Sequence, residues 1–211
     1  AKTETGATPI HCASENGHHE CLKMLLEAGA DKEAKINSGH SPLHLASQNG
    51  HHECLKMLLE ADVNKETKTE TGATPLHFAS GQGHNDCLKI LLEAGADKET
   101  KTETGATPLH CASHSGHHEC LKMLLEAGAD KEAKINSGHS PLHFASKNGH
   151  HECLKMLLEA GADKEATIDV GFTPLHFATL FGHYECIKTL LLKGADASAT
   201  TNDKKTPLQL A

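Results

Sequence analysis

The 211-residue chain has no arginine and no tryptophan, and its aromatic rings are one tyrosine and five phenylalanines. All 20 basic residues are therefore lysines, set against 28 acidic ones for a formal charge of −8. Missing with arginine is the planar fork that grips phosphate and guanine. The lysines stand among glutamates, as in "DKEAK" and "HECLK", and form no basic stripe. Nucleic acid is disfavoured as a partner. No run of 18 apolar residues exists, so no membrane-spanning helix is expected. The opening "AKTETGATPI" contains no apolar stretch that could serve as a secretory signal. G-x-S-x-G, H-E-x-x-H and Walker-type glycine loops are absent too, which removes the common signatures of hydrolases, zinc proteases and nucleotide binders.

What is abundant is histidine, 19 residues, and repetition. The string "HHECLKMLLEA" occurs at 18–28, 51–61, 117–127 and 150–160. Histidine, glutamate and cysteine are metal ligands, so a zinc cassette using His18, Glu20 and Cys21 must be weighed. Adjacent residues on a helix diverge, whereas a structural zinc needs four ligands converging tetrahedrally. The densest cluster, His114, His117 and His118, is divided between two elements by Gly116. No metal, cofactor or catalytic residue is expected, and the repetition is read as architecture.

Aligned on "TP", the chain reads "TPIHCA" at Thr8, "SPLHLA" at Ser41, "TPLHFA" at Thr74, "TPLHCA" at Thr107, "SPLHFA" at Ser140, "TPLHFA" at Thr173 and "TPLQLA" at Thr206. Every interval is 33 residues, the mark of a solenoid built from one supersecondary unit. Each repeat can be built locally. The Ser or Thr caps a short helix with proline at its first position, and Gly17 and its equivalents stop that helix. A second helix runs through "HECLKMLLEA", with Cys21, Leu22, Leu25 and Leu26 as its apolar stripe. Gly29 ends it, and "ADKEAKTETG"-type segments read as polar connectors. Helices this short do not stand alone in water, so each repeat must bury a face against its neighbours.

The cysteines follow the same period: Cys21, Cys54, Cys87, Cys120, Cys153 and Cys186. Stacked helices would hold them roughly 10 Å apart, beyond the ~7 Å between Cα atoms that a disulfide tolerates. Only Cys12 with Cys21, and Cys111 with Cys120, could pair within a repeat. All eight are read as reduced, which points to the cytoplasm or nucleus.

The pattern resembles the ankyrin repeat. The residues that carry the resemblance are "GATPLH" at 105–110, "GH" at 149–150, "LLEAGAD" at 91–97 and their counterparts. It extends over six complete repeats, about 3–35, 36–68, 69–101, 102–134, 135–167 and 168–200, with a partial seventh at 201–211. The resemblance implies an all-α solenoid of helix-turn-helix units with β-turn fingers, a single domain over 1–211. It implies structural histidines: His11, His44, His77, His110, His143 and His176 bonding the Thr or Ser hydroxyl and finger backbone, and His18 and its equivalents tying helix 2 to the loop. It also implies binding of a partner protein on the concave surface of fingers and first helices. Asp62 stands where other repeats end helix 2 in glycine, and Lys204 replaces a finger glycine. Residues 1–60 and 100–159 are nearly the same text displaced by 99, as a duplicated three-repeat block would be.

The repeats differ where the family binds, at the finger tips and the ends of helix 1. Repeat six departs most: Ile168, Val170 and Phe172 in its finger, Leu180 and Phe181 at the end of helix 1, and Tyr184 in place of histidine. Phe78, Phe144 and Phe177, inside TPLHF, read as core. An aromatic cluster in polar surroundings has the makeup of a binding hot spot. Ile135, His139, Lys147 and Asn148 of repeat five, with His114 and Ser115 of repeat four, extend the candidate partner-binding face. The competing expectation is a structural spacer whose groove is idle. Neither end shows a polar outer face, so either end-to-end self-association or dependence on flanking repeats is expected as well.

Overall fold

The computed structural model describes residues 3–211. Twelve α-helices follow in pairs: α1 (Pro9–Glu15), α2 (His19–Glu27), α3 (Pro42–Gln48), α4 (His52–Glu60), α5 (Pro75–Gln82), α6 (Asn85–Glu93), α7 (Pro108–Ser115), α8 (His118–Glu126), α9 (Pro141–Asn148), α10 (His151–Glu159), α11 (Pro174–Leu180) and α12 (Tyr184–Leu192). A 3₁₀ turn at Pro207–Leu210 closes the order, and no strand occurs among the described residues. The chain forms two compact units, Ala1–Glu103 and Thr104–Ala211. In the first, α1, α3 and α5 make one helix layer and α2, α4 and α6 the other; in the second, α7, α9 and α11 pair with α8, α10 and α12 in the same way.

Each odd-numbered helix starts as its sequence dictates. Thr8 and its equivalents are extended N-caps followed by proline, and the histidine three residues on folds back over the cap. The Thr8 N–H donates to His11 Nδ1 at 3.2 Å, and the Thr8 hydroxyl lies 2.8 Å from the same nitrogen. An accepting Nδ1 leaves the proton on Nε2, which donates to the Ala34 carbonyl at 3.0 Å. The same relay joins Ser41, His44 and Ala73, and in the second unit Ser140, His143 and Ala166. The structural role implied for these rings is thus the one they play. Burial without a countercharge lowers His44 and His143 to about 4, so both are neutral near pH 7.

The even-numbered helices other than α4 end on a left-handed glycine. Gly29 stands at φ +75°, the Gly29 N–H reaches the Leu26 carbonyl and the Ala30 N–H the Leu25 carbonyl. Asp62 holds this conformation at φ +59° and Lys204 the finger equivalent at φ +59°; they are the only described non-glycine residues at positive φ.

The core is one leucine layer per repeat: Leu22, Leu55, Leu58, Leu88 and Leu91 in the first unit, Leu121, Leu124, Leu154, Leu157 and Leu190 in the second, all essentially inaccessible. One expectation needs correction. Cys21 lies on the stripe yet is exposed, while Cys54, Cys87, Cys153 and Cys186 are buried. The stripe position is covered by the preceding helix of the layer, and within its own layer α2 has α4 alone beside it.

Polar rungs fix the stacking, and two of them were not legible in the sequence. The connector glutamates reach the next repeat: Glu33 Oε1 accepts the Asn64 N–H at 2.7 Å and Glu66 Oε1 the Asp97 N–H at 2.9 Å, as do Glu132 for Asp163 and Glu165 for Asp196. A bond to an ionised acceptor is among the stronger kinds, so these connectors are joints rather than spacers. The histidines after Gly50, Gly83, Gly149 and Gly182 also reach across a repeat boundary, not to their own loop. His51 Nε2–H donates to the Glu15 carbonyl, His84 to Gln48, His150 to His114 and His183 to Lys147, at 2.9–3.0 Å. These carbonyls sit in the last turn of helix 1, where intrahelical donors run out. The incoming ring explains the glycine: a Cβ on Gly17 would meet His51 Nδ1 at 2.6 Å, and one on Gly149 would meet His183 Nδ1 at 2.5 Å.

Candidate protein-binding face

Finger tips are linked by backbone bonds from one repeat to the next. The Asn37 N–H donates to the Thr5 carbonyl at 2.9 Å, Asn136 to Thr104 at 2.9 Å and Asn202 to Val170 at 3.2 Å. Two positions project side chains between fingers and first helices: the residue after the finger glycine and the residue after the TPLH histidine. In the first unit these give one small cluster, with His40 5.1 Å from the Phe78 ring and 5.8 Å from His44.

In the second unit they give a continuous row, extended by His114 from the last turn of α7. His114 lies 5.5 Å from Phe144, Phe144 is stacked on His139 at 5.5 Å and 30°, His139 is 5.4 Å from Phe177, and Phe177 is 5.3 Å from Phe172. Such contacts add about 0.5–1.5 kcal/mol each beyond area burial and hold the row rigid. Burial lowers the pKa of His139, with the Lys147 ammonium adding to the effect. Phe177 is core as expected, but Phe78 and Phe144 are half-buried. The position after TPLH lies at the boundary of core and face, so a large ring there is covered on one side only.

The end of helix 1 supplies a second cluster. The Lys147 ammonium stands 5.9 Å from the centre of the Phe181 ring, which stacks on His183 at 6.4 Å and 20°. Asn148 Nδ2 donates to the His114 carbonyl at 2.8 Å, and Ser115 is exposed beside it. Leu180 and Phe181 are nearly half-exposed and Val170 is exposed at its finger tip, whereas Ile135, Ile168 and Phe172 are half-buried. The structure therefore joins Phe172, His139 and His114 in one row and Lys147 and Phe181 in another contact. Tyr184, 69% exposed, belongs to the other helix layer, on α12. Sequence reasoning missed Leu191, Leu192 and Leu208, the last two 78% and 82% exposed. For Leu192 a signal existed: Glu27, Glu60, Glu93, Glu126 and Glu159 hold its position in the other repeats.

The "HHEC" cassette does not converge. His52 and Glu53 pair at the surface, Nε2 to Oε1 3.5 Å, while Cys54 Sγ points inward, 4.0 Å from the Ala13 carbonyl. Among the described residues no three His, Cys, Asp or Glu side chains could hold a metal ion together. No helix among them is long and apolar enough to cross a membrane.

The family described as ankyrin repeats (3 copies) matches residues 1–69, 61–135, 96–168 and 131–203. The chain belongs to the ankyrin-repeat family. Among solved structures, it is similar to the human ASB11 ankyrin repeat domain at 33% identity and a TM-score of 0.91, covering 97% of this chain and 92% of that one. It is also similar to the ankyrin repeat domain of Bcl-3, an IkappaB-family protein, at 31% identity and a TM-score of 0.84, over 99% of this chain and 95% of that one. Among curated proteins none matches. Ankyrin-repeat domains are in general protein–protein interaction scaffolds, the class to which this ankyrin-repeat protein belongs.

Proposed function

We propose that this protein holds a partner protein on the inner face of its second unit, with Phe172, Leu180 and Phe181 of repeat six as anchors. The observation that carries the reading is the ring row from His114 to Phe172, half-covered and rigid, beside nearly half-exposed Leu180 and Phe181. Rigid aromatics sacrifice little conformational entropy on binding, and apolar groups bordered by polar ones make hot spots. Ile135, His139, Lys147, Asn148, His114 and Ser115 form the flank, Ile168 and Val170 the finger side, and Tyr184 an outlying contact. The setting is a reducing compartment, cytoplasmic or nuclear, in keeping with six of the eight cysteines spaced one to each even-numbered helix.

The test is affinity capture from a lysate of the source organism, with wild type compared against a Leu180→Asp/Phe181→Asp variant. Capture of one protein by the wild type alone supports the anchor. Equal or empty capture by both removes it and leaves the spacer, in which the stack sets a distance and the face is idle.

A further inference from the structure

Resting on the inner-face reading, we infer that the partner offers an acidic segment to the middle of the second unit. In this arrangement an extended stretch of the partner sets a carboxylate on Lys147 and, two positions away, an apolar side chain on Phe144 and His139.

The duplicated text supplies the first observation. Residues 1–60 and 100–159 differ at six positions only: Ala1 against Thr100, Ile10 against Leu109, Glu15 against His114, Asn16 against Ser115, Leu45 against Phe144 and Gln48 against Lys147. The last four fall along the inner helices and their ends. A carboxylate gives way to a neutral ring and an amide to an ammonium, so the second copy is two charge units more positive there. It also gains the Phe144 ring, half-buried where Leu45 is buried. Helix α9 lies between α7 and α11 of its own unit, so the exposure of its residues is set within that unit.

Lys147 has no counterion at hand. Of the 20 lysines, it alone has no Asp or Glu within four positions. Helices α7, α9 and α11 contain no acidic residue, whereas α8, α10 and α12 carry Glu119, Glu126, Glu152, Glu159 and Glu185. The Lys–Glu ion pairs, Lys89 with Glu93 and Lys188 with Glu185, are on even-numbered helices. Asp169, at the following finger tip, is a carboxylate whose charge reaches His139, and Lys147 outweighs it there. Phe181 covers one side of the ammonium, and a charge beside apolar surface is less screened than one in open water. In a chain of net charge −8, this bare cation favours a partner's carboxylate over a neutral or basic group.

The spacing follows from the helix. Phe144 and Lys147 are three residues apart on α9, which puts their Cβ atoms about 5–6 Å apart on one face. Side chains on one face of an extended chain recur every ~6.6 Å, so an apolar residue and an acid two positions apart match that pair. His139, stacked on Phe144 at 30°, widens the apolar seat.

Selection of random dodecapeptides on the immobilised full chain tests this. Enriched peptides should carry an aromatic or aliphatic residue two positions from Asp or Glu, and Lys147→Glu should exchange that acid for Lys or Arg. For the strongest peptide, made synthetically, Lys147→Gln should weaken binding about fivefold or more, as should replacing its acid by the amide. The two changes together should cost no more than either alone. Gln48 already stands at this place in the duplicated text, so Lys147→Gln keeps the fold, which circular dichroism checks. No enrichment, an acid preference that survives Lys147→Glu, or additive losses overturn the inference. Acid-free peptides that the Leu180→Asp/Phe181→Asp variant no longer binds overturn it while leaving the inner face standing. Equal or empty lysate capture removes the face itself.

Discussion

Helices α2 and α10 spell the same nine residues, HECLKMLLE, yet they are different objects. In α10, Cys153, Leu154 and Leu157 are sealed between α8 and α12, and burial followed by the Glu152 charge pushes the Cys153 thiol up to about 12. In α2 only Leu22 is buried, Leu25 is half-open and Cys21 faces outward. Amphipathicity says that a stripe will be covered if a neighbour exists on each side; it does not say that the neighbour exists. In a repeat stack, stability is accordingly a sum of nearest-neighbour terms.

The comparison breaks most visibly at leucine. Leu157→Ala should cost about 3 kcal/mol by chemical denaturation, as other buried Leu→Ala changes do, while Leu25→Ala in the identical helix should cost less than about 1 kcal/mol. Equal losses would mean that the two faces are equally covered.

Acid attacks the feature that the two units share. His44 and His143 each have a folded pKa near 4 against 6.5 in an unfolded chain, so the unfolded state binds more protons between those values. Their contribution is complete above about pH 6.5 and is lost as pH falls toward 4. Between pH 7.5 and 5.5 the two rings together should cost roughly 3 kcal/mol. A melting temperature unchanged over that range would show that these rings are not held neutral.

A pair of glycines separates backbone strain from crowding. Gly149 and Gly182 have φ of +72° and +70°, but only Gly149 lies beneath a histidine. Gly182→Ala should lose about 1 kcal/mol for the left-handed conformation alone. Gly149→Ala should lose about 2 kcal/mol or more, because His183 must leave the Lys147 carbonyl. The smallest effect is a gain. Asp62→Gly restores the residue suited to φ +59° at the end of α4 and should stabilise by up to about 1 kcal/mol in thermal unfolding.

How much of this could be read from the chain varies by kind of interaction. Helix boundaries, the proline-started caps, the glycine stops and the strained Asp62 and Lys204 were legible, because each depends on residues within a few positions of one another. The TPLH rings were placed by resemblance, and the relay from His11 to Ala34 bears that out. Of the candidate face, the departures of repeat six were visible in the alignment. The row running from His114 to Phe172 was not, because its links between repeats, His114 with Phe144 and His139 with Phe177, join residues 30 and 38 positions apart that meet only once the repeats stack.

The 33-residue text by itself determined the ankyrin fold: local capping, turn chemistry and a leucine stripe point to the same hairpin in every repeat, so little is left to choose. Tertiary structure alone decided which copies of identical residues are sealed and which stand open. It decided, too, that Glu33 and the glycine-following histidines join one repeat to the next, and that Phe144 is half on the surface. Burial and cross-repeat bonds depend on what lies one helix away, and sequence identity between α2 and α10 carries no record of that.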